Sequence, residues 1–137
     1  MAKYFLYVRK STDEEGYQVL SIESQIEELK EFAVRENLEI SKIFVEKKTA
    51  KIPGREIFNE MLSKIEISKT PTGLLSWHPD RLSRNSIDGG RIIYLLDTGK
   101  LAGLKFPTFS FENTPAGKFF LFIALSLLMF VVILLSQ

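Results

Sequence analysis

Two short clusters carry the residue types of phosphoryl-transfer chemistry. Tyr7-Val8-Arg9-Lys10-Ser11 places an arginine and a hydroxyl two residues apart. On an extended backbone that spacing turns both side chains to one side. Trp77-His78-Pro79-Asp80-Arg81-Leu82-Ser83-Arg84-Asn85 holds two arginines three residues apart, which one helical turn would bring to a common face. A phosphodiester under attack gains charge on its nonbridging oxygens, and fixed guanidinium groups neutralise that charge without a metal. A serine used as nucleophile needs an activating base or strong transition-state stabilisation. The chain has a single histidine, so a serine–histidine pair would depend on His78 alone.

Each of these residues also has an ordinary reading. Ser11 opens a Ser-Thr-Asp stretch of the kind that starts turns. Arg81 and Arg84 fit surface positions flanking a helix start. His78 beside Trp77 fits a partly buried packing residue, and Asp80 fits a helix N-cap. What weighs toward chemistry is that both clusters fall just after segments that read as strands.

Those segments alternate with helices. Lys3–Arg9, rich in aromatic and β-branched residues, reads as a strand. Ser21 starts a helix whose apolar positions Ile22, Ile26, Leu29, Phe32 and Ala33 recur every three or four residues, ending near Asn37. Ile40–Val45 alternates as a second strand, and Pro53-Gly54 marks a turn. A helix follows over 55–67, then a short buried strand at 74–77 stopped by Pro79. Another helix spans about 86–98 before Gly99, a fourth strand lies within 101–111, and Pro115 opens a last helix. This alternation predicts an α/β fold with a mostly parallel central sheet flanked by helices. In such sheets the chemistry gathers at the C-terminal ends of the strands, where both clusters fall.

Composition narrows the classes. The length of 137 residues fits one domain. The absence of cysteine excludes disulfides and thiolate metal sites and fits a reducing cytoplasm. One histidine rules out a multi-histidine metal site. The net charge of +1 is too small for a strong nonspecific hold on DNA, which needs many Lys and Arg contacts to phosphate. The N-terminus does not read as a secretory signal, because Arg9-Lys10 follows its short apolar run.

With these residues in place, the chain resembles the serine site-specific recombinases of the resolvase/invertase family, most closely the N-terminal catalytic domain of the large serine recombinases. Tyr7-Val8-Arg9-Lys10-Ser11 is similar to the family's Tyr-x-Arg-x-Ser motif. Ser21-Ile22-Glu23-Ser24-Gln25 resembles its first helix, Pro53-Gly54-Arg55 the segment that supplies another arginine, and Asp80-Arg81-Leu82-Ser83-Arg84-Asn85 its Asp-Arg-Leu-x-Arg signature. The resemblance covers about 3–126. It implies a mostly parallel sheet with one antiparallel edge and a long C-terminal helix. It also implies DNA cleavage and rejoining through a 5′-phosphoserine link at Ser11, with Arg9, Arg55, Arg81 and Arg84 on the phosphate. Asp80 would orient an arginine or donate a proton to the leaving oxygen, and Gln25 would position the site. No metal or other cofactor is implied. The implied partners are double-stranded DNA and further subunits, as dimers and tetramers.

The C-terminal segment departs from that pattern. The sequence divides into a catalytic domain over 1–114 and the start of a dimerisation helix over 115–137, with no DNA-binding module following. Asn113-Thr114-Pro115-Ala116-Gly117-Lys118-Phe119-Phe120 resembles the family's helix start, but Phe119–Leu135 is apolar except for Ser126. Three readings stay open: a frameshifted or truncated end, a helix buried all round in an oligomer, or a tail anchor in a membrane. The run of about 17 residues is at the lower limit for a span, and Lys118 is its only flanking charge. The expectation is a chain that does not recombine DNA efficiently alone. The alternative functions are a non-catalytic partner of intact recombinase subunits and a membrane-tethered protein.

Overall fold

In the computed structural model, residues 3–10 and 20–135 are described, with side chains as far as Ser126. Ser11 lies outside the described residues. The elements run β1 (Lys3–Arg9), α1 (Ile22–Arg35), β2 (Glu39–Glu46), α2 (Glu56–Ile67), β3 (Thr72–Ser76), α3 (Pro79–Leu82), α4 (Ser86–Asp97), β4 (Leu101–Lys105) and α5 (Pro115–Leu135). The strands form one sheet in the order β2-β1-β3-β4, and every ladder is parallel. The predicted α/β alternation is therefore observed.

Side-chain alternation along β1 builds two cores. Tyr4, Leu6 and Val8 face α1 and pack with Leu29, Ala33 and Leu75. Tyr7 faces the opposite layer, where α2, α4 and the start of α5 contribute Phe58, Met61, Leu62, Ile65, Ile92, Leu121 and Leu125. In α2, the full burial of Phe58, Met61, Leu62 and Ile65 contributes roughly 1.5–3 kcal/mol per side chain. Packing of that face, more than local propensity, therefore holds the helix. The Tyr4 ring fills the space over β3 and β4, where a Cβ on Gly73 or Gly103 would overlap it.

The termini of the elements follow local chemistry. Ser21 Oγ accepts the Ser24 N–H at 3.1 Å and caps α1. After that helix Asn37 adopts φ 56°, and after α4 Gly99 adopts φ 76°, the left-handed turn that releases a chain from a helix. Two expectations are corrected. The antiparallel edge is replaced, among the described residues, by an isolated Phe106–Phe109 bridge, because Pro107 between them has no N–H to extend a ladder. The helical turn after β3 stops at Leu82, since Ser83 is extended (φ −156°, ψ 147°). Arg81 and Arg84 thus do not share a helix face. Among the described residues no helix is long and apolar enough to cross a membrane.

Candidate active site

The C-terminal ends of the two central strands, β1 and β3, meet at the site. Arg9 is the last residue of β1 and is fully buried. Its Nε donates to the Arg81 carbonyl at 3.0 Å, and its Nη2 donates to the Asp80 carbonyl. Arg81 returns the contact, with Nη1 donating to the Arg9 carbonyl at 3.2 Å. The strand end and the α3 turn are thereby cross-tied by the side chain of each reaching the backbone of the other. Gln25, fully buried on α1, completes the junction. Its Nε2 donates to the Arg9 and Leu20 carbonyls, both at 3.0 Å, and its Oε1 accepts the Arg9 N–H at 3.3 Å. The side-chain amide thus takes the place of a neighbouring strand where β1 leaves the sheet.

Asp80 sits at the outer side of this junction, with its side chain about two-fifths exposed. Its Oδ1 accepts from Arg81 Nε at 3.3 Å and lies 3.1 Å from His78 Nδ1. Partial burial pushes the carboxyl upward. The His78 hydrogen bond and the Arg81 charge overcome that and hold it well below the usual carboxylate range. Asp80 is therefore ionised at neutral pH. It does not cap α3, as its type had led one to expect. His78 holds the cap position, its Nδ1 lying 3.3 Å from the Asp80 backbone nitrogen as well as 3.1 Å from Oδ1. The His78 ring also packs edge-on against Phe109, with centroids 6.2 Å apart.

Arg55 is placed in a separate, adjoining network. It is 2% exposed. Its Nη2 pairs with Asp88 Oδ2 at 3.0 Å, and its Nη1 donates to the Tyr7 hydroxyl at 3.0 Å and the Leu82 carbonyl at 2.7 Å. The guanidinium carbon lies 3.9 Å from the Phe58 ring centroid. Tyr7 in turn donates to Glu46 Oε1 at 3.1 Å, and Glu46 accepts the Phe58 N–H at 2.9 Å. Burial raises the Tyr7 hydroxyl far above its ordinary pKa; Arg55 opposes the shift and Glu46 adds to it. Tyr7 is thus a fixed donor. Asn85 ties the network to α4 and the α2 approach, donating from Nδ2 to Asp88 Oδ2 and to the Ala50 carbonyl, both at 3.0 Å.

The structure thus brings Arg9, Gln25, Asp80 and Arg81 together, sets Arg55 beneath them through Leu82, and leaves Arg84 half-buried beyond the α3 turn. The Arg84 N–H donates to the Ala50 carbonyl at 3.0 Å. Sequence reasoning missed Tyr7, Glu46, Asn85 and Asp88 as parts of the arrangement. Asn85-x-x-Asp88 carried a legible signal, the spacing of a helix cap with an acidic partner, and Asn85 Oδ1 does accept the Asp88 N–H at 2.9 Å. Clefts of about 750 and 780 Å³ lie at the β4 edge and at the start of α5, and neither is lined by Arg9, Asp80 or Arg81. Among the described residues no group of His, Asp and Glu is arranged to hold a metal ion.

The parallel sheet of this chain carries buried arginines cross-tied at its central C-terminal edge. Residues 4–130 match the model of the Resolvase, N terminal domain family, and the chain belongs to that family. The match runs past Ser126 into the apolar segment. The fold is similar to the N-terminal catalytic domain of TP901-1 integrase (24% identity, TM-score 0.67), covering 96% of this chain and 98% of that one. It is also similar to a resolvase family site-specific recombinase from Streptococcus pneumoniae (23% identity, TM-score 0.71), covering 99% and 93%. A third likeness is to the C-terminal catalytic domain of ISC1926 TnpA, an IS607-like serine recombinase (17% identity, TM-score 0.61), covering 76% and 69%. No curated protein sequence matches significantly. The family and fold are those of proteins of DNA recombination.

Proposed function

We propose that this chain cleaves and rejoins DNA through a 5′-phosphoserine intermediate at Ser11. The observation that carries the reading is the cross-tie of Arg9 and Arg81 at the end of β1, two residues before Ser11. In the proposed step Ser11 Oγ loses its proton and bonds to a backbone phosphorus. The bond from phosphorus to the 3′ oxygen breaks, and that oxygen takes up a proton. The phosphoserine ester keeps the bond energy, so attack by a free 3′-hydroxyl reverses the step. Arg9 and Arg81, with Arg84 from beyond the turn, hold the phosphate and offset its developing charge.

The same geometry supports finer assignments. Asp80, held ionised, orients Arg81 and is a poor source of the leaving-group proton. Arg55 supports the α3 turn from beneath through the Leu82 carbonyl, and Gln25 holds the Arg9 backbone. The partners are double-stranded DNA and further subunits, as dimers on a site and tetramers at synapsis. The weak net charge of +1 leaves little phosphate grip, so exchange by this chain alone is inefficient.

The test is a pool of nicked duplexes, which trap a cleaved intermediate by releasing the free end. A covalent protein–DNA adduct is expected with the parent chain and absent with Ser11→Ala. An adduct that persists in Ser11→Ala overturns the nucleophile. A second reading, a non-catalytic partner of intact recombinase subunits, is favoured by Phe119 and Phe120, which are 59% and 63% exposed on α5. It predicts co-purification with an intact subunit that Ser11→Ala leaves unchanged, and a solitary monomer rules it out.

A further inference from the structure

His78 is not used in the proposed chemistry, yet it touches the group that aims an arginine. Its Nδ1 faces two parts of Asp80 at once, the N–H at 3.3 Å and Oδ1 at 3.1 Å. One nitrogen cannot serve both. With a bare lone pair it accepts the N–H; carrying a proton it donates to the carboxylate. The same Oδ1 accepts Arg81 Nε at 3.3 Å, and Arg81 Nη1 holds the Arg9 carbonyl. Nδ1 is also the only His78 nitrogen hydrogen-bonded among the described residues, and the side chain is 39% exposed.

We infer that His78 is a positioning residue for the cleavage site: the proton on its Nδ1 sets whether the Asp80 carboxylate is shared with His78 or held by Arg81 alone. The imidazolium must donate to Oδ1 and draws that oxygen from Arg81. The neutral ring with Nδ1 bare turns to the Asp80 N–H, and its lone pair repels Oδ1 toward Arg81 Nε. Among the described residues, these charged and titratable groups face the contact. Asp80 and Arg81 come from the α3 turn, and Arg9 reaches the Asp80 carbonyl from β1. From α1, Glu28 takes the Trp77 indole N–H beside the ring. The 106–111 segment adds the uncharged Phe109 ring. The consequence for cleavage rests on the recombinase reading above: cleavage is faster with Nδ1 bare, the remaining ring proton on Nε2, than with Nδ1 protonated.

Because the chain has one histidine, its ring nitrogens give unambiguous signals in ¹⁵N NMR. The parent chain is titrated over about pH 5–8, where a histidine changes charge, following the ring nitrogens and the Arg81 Nε–H. The Arg81 proton is expected to move downfield with the midpoint of His78. In His78→Asn, which keeps an acceptor for the Asp80 N–H, that movement is lost. Should His78→Asn fail to fold, Asp80→Ala serves instead: His78 still titrates, and Arg81 no longer follows it. An Arg81 signal that ignores His78 in the parent, or moves unchanged in either variant, overturns the inference. Adduct formation on nicked duplex separates this from the recombinase reading. Coupled NMR titrations with no adduct at any pH keep the positioning and sink that reading. An adduct formed at a pH-independent rate does the reverse.

Discussion

Arg55 and the Arg9–Arg81 pair are both buried guanidinium sites, and they are held in different ways. Arg55 meets a carboxylate, Asp88, across 3.0 Å, with both side chains at most 2% exposed. Its bonds run between β1, α2, α4 and the α3 turn, and a phenyl ring covers its face. Arg9 and Arg81 instead exchange bonds with each other's backbone where two strands end, beside a carboxylate that is partly in water. The first arrangement spends a charge inside the fold. The second holds charges at the edge of it, where β1 ends two residues before Ser11 in the sequence. Stability should therefore follow Arg55, and chemistry should follow Arg9 and Arg81.

The largest effect that could break this contrast is on folding. Arg55→Met takes the close partner from the buried Asp88 charge, leaving only the partly exposed Arg91 at 3.6 Å, and should destabilise the protein by about 3–5 kcal/mol, read from urea unfolding. Adding Asp88→Leu should restore part of the loss, since the stranded charge is then gone. A loss under about 1 kcal/mol for Arg55→Met would be an ordinary surface effect, and the contrast would collapse. Arg81→Lys should show the opposite profile. It keeps the charge but loses the planar fork, so adduct formation should slow by about 10²–10³-fold. Its stability should fall by only about 1 kcal/mol, because Gln25 still satisfies the Arg9 carbonyl. Loss of stability on the Arg55→Met scale would show that the two sites are one structural unit.

The smallest effect concerns Asp80 and pH. Its folded-state pKa lies below the unfolded value, so its ionised form favours the fold. That contribution is full above about pH 4, the ordinary carboxylate value, and declines as pH falls toward the lower folded value. Asp80→Asn should thus melt below the parent at neutral pH, with the gap narrowing as the solution is acidified through and below pH 4. A gap that stays constant with pH would place the effect of the substitution outside the carboxylate charge.

Most of the fold was legible in the sequence because it rests on local pattern. The apolar spacing of Ile22, Ile26 and Leu29, the cap at Ser21, and the β-rich run Lys3–Arg9 each set an element within a residue or two of its place. The Arg9, Gln25, Asp80 and Arg81 constellation was legible only as a family-like set, since no local rule states that a glutamine will close a strand end. The burial of Arg55 was not legible. Glu46, Tyr7 and Asp88 become its neighbours only once β1, β2, α2 and α4 have packed, and none of them looks unusual in its own segment. The α3 turn misled for a local reason: Asp80 is a good capping type, but the residue two before it, His78, reaches the N–H first and Ser83 then extends the chain.

The bond from Arg9 to the Arg81 carbonyl spans 72 residues of chain, and that distance has a consequence in time. Parallel strands joined by helices close large loops before any contact repays the lost freedom. As the chain emerges from a ribosome, β1 comes out first. Arg9 must then wait for β3 and the α3 turn before the Asp80 and Arg81 carbonyls reach it. Until that moment the most deeply sunk charge of the site is still hydrated, and the edge of β1 beside it is open. The site is thus completed only after β3 and the α3 turn have formed, so a chain cut short before them carries the motif without the means to use it.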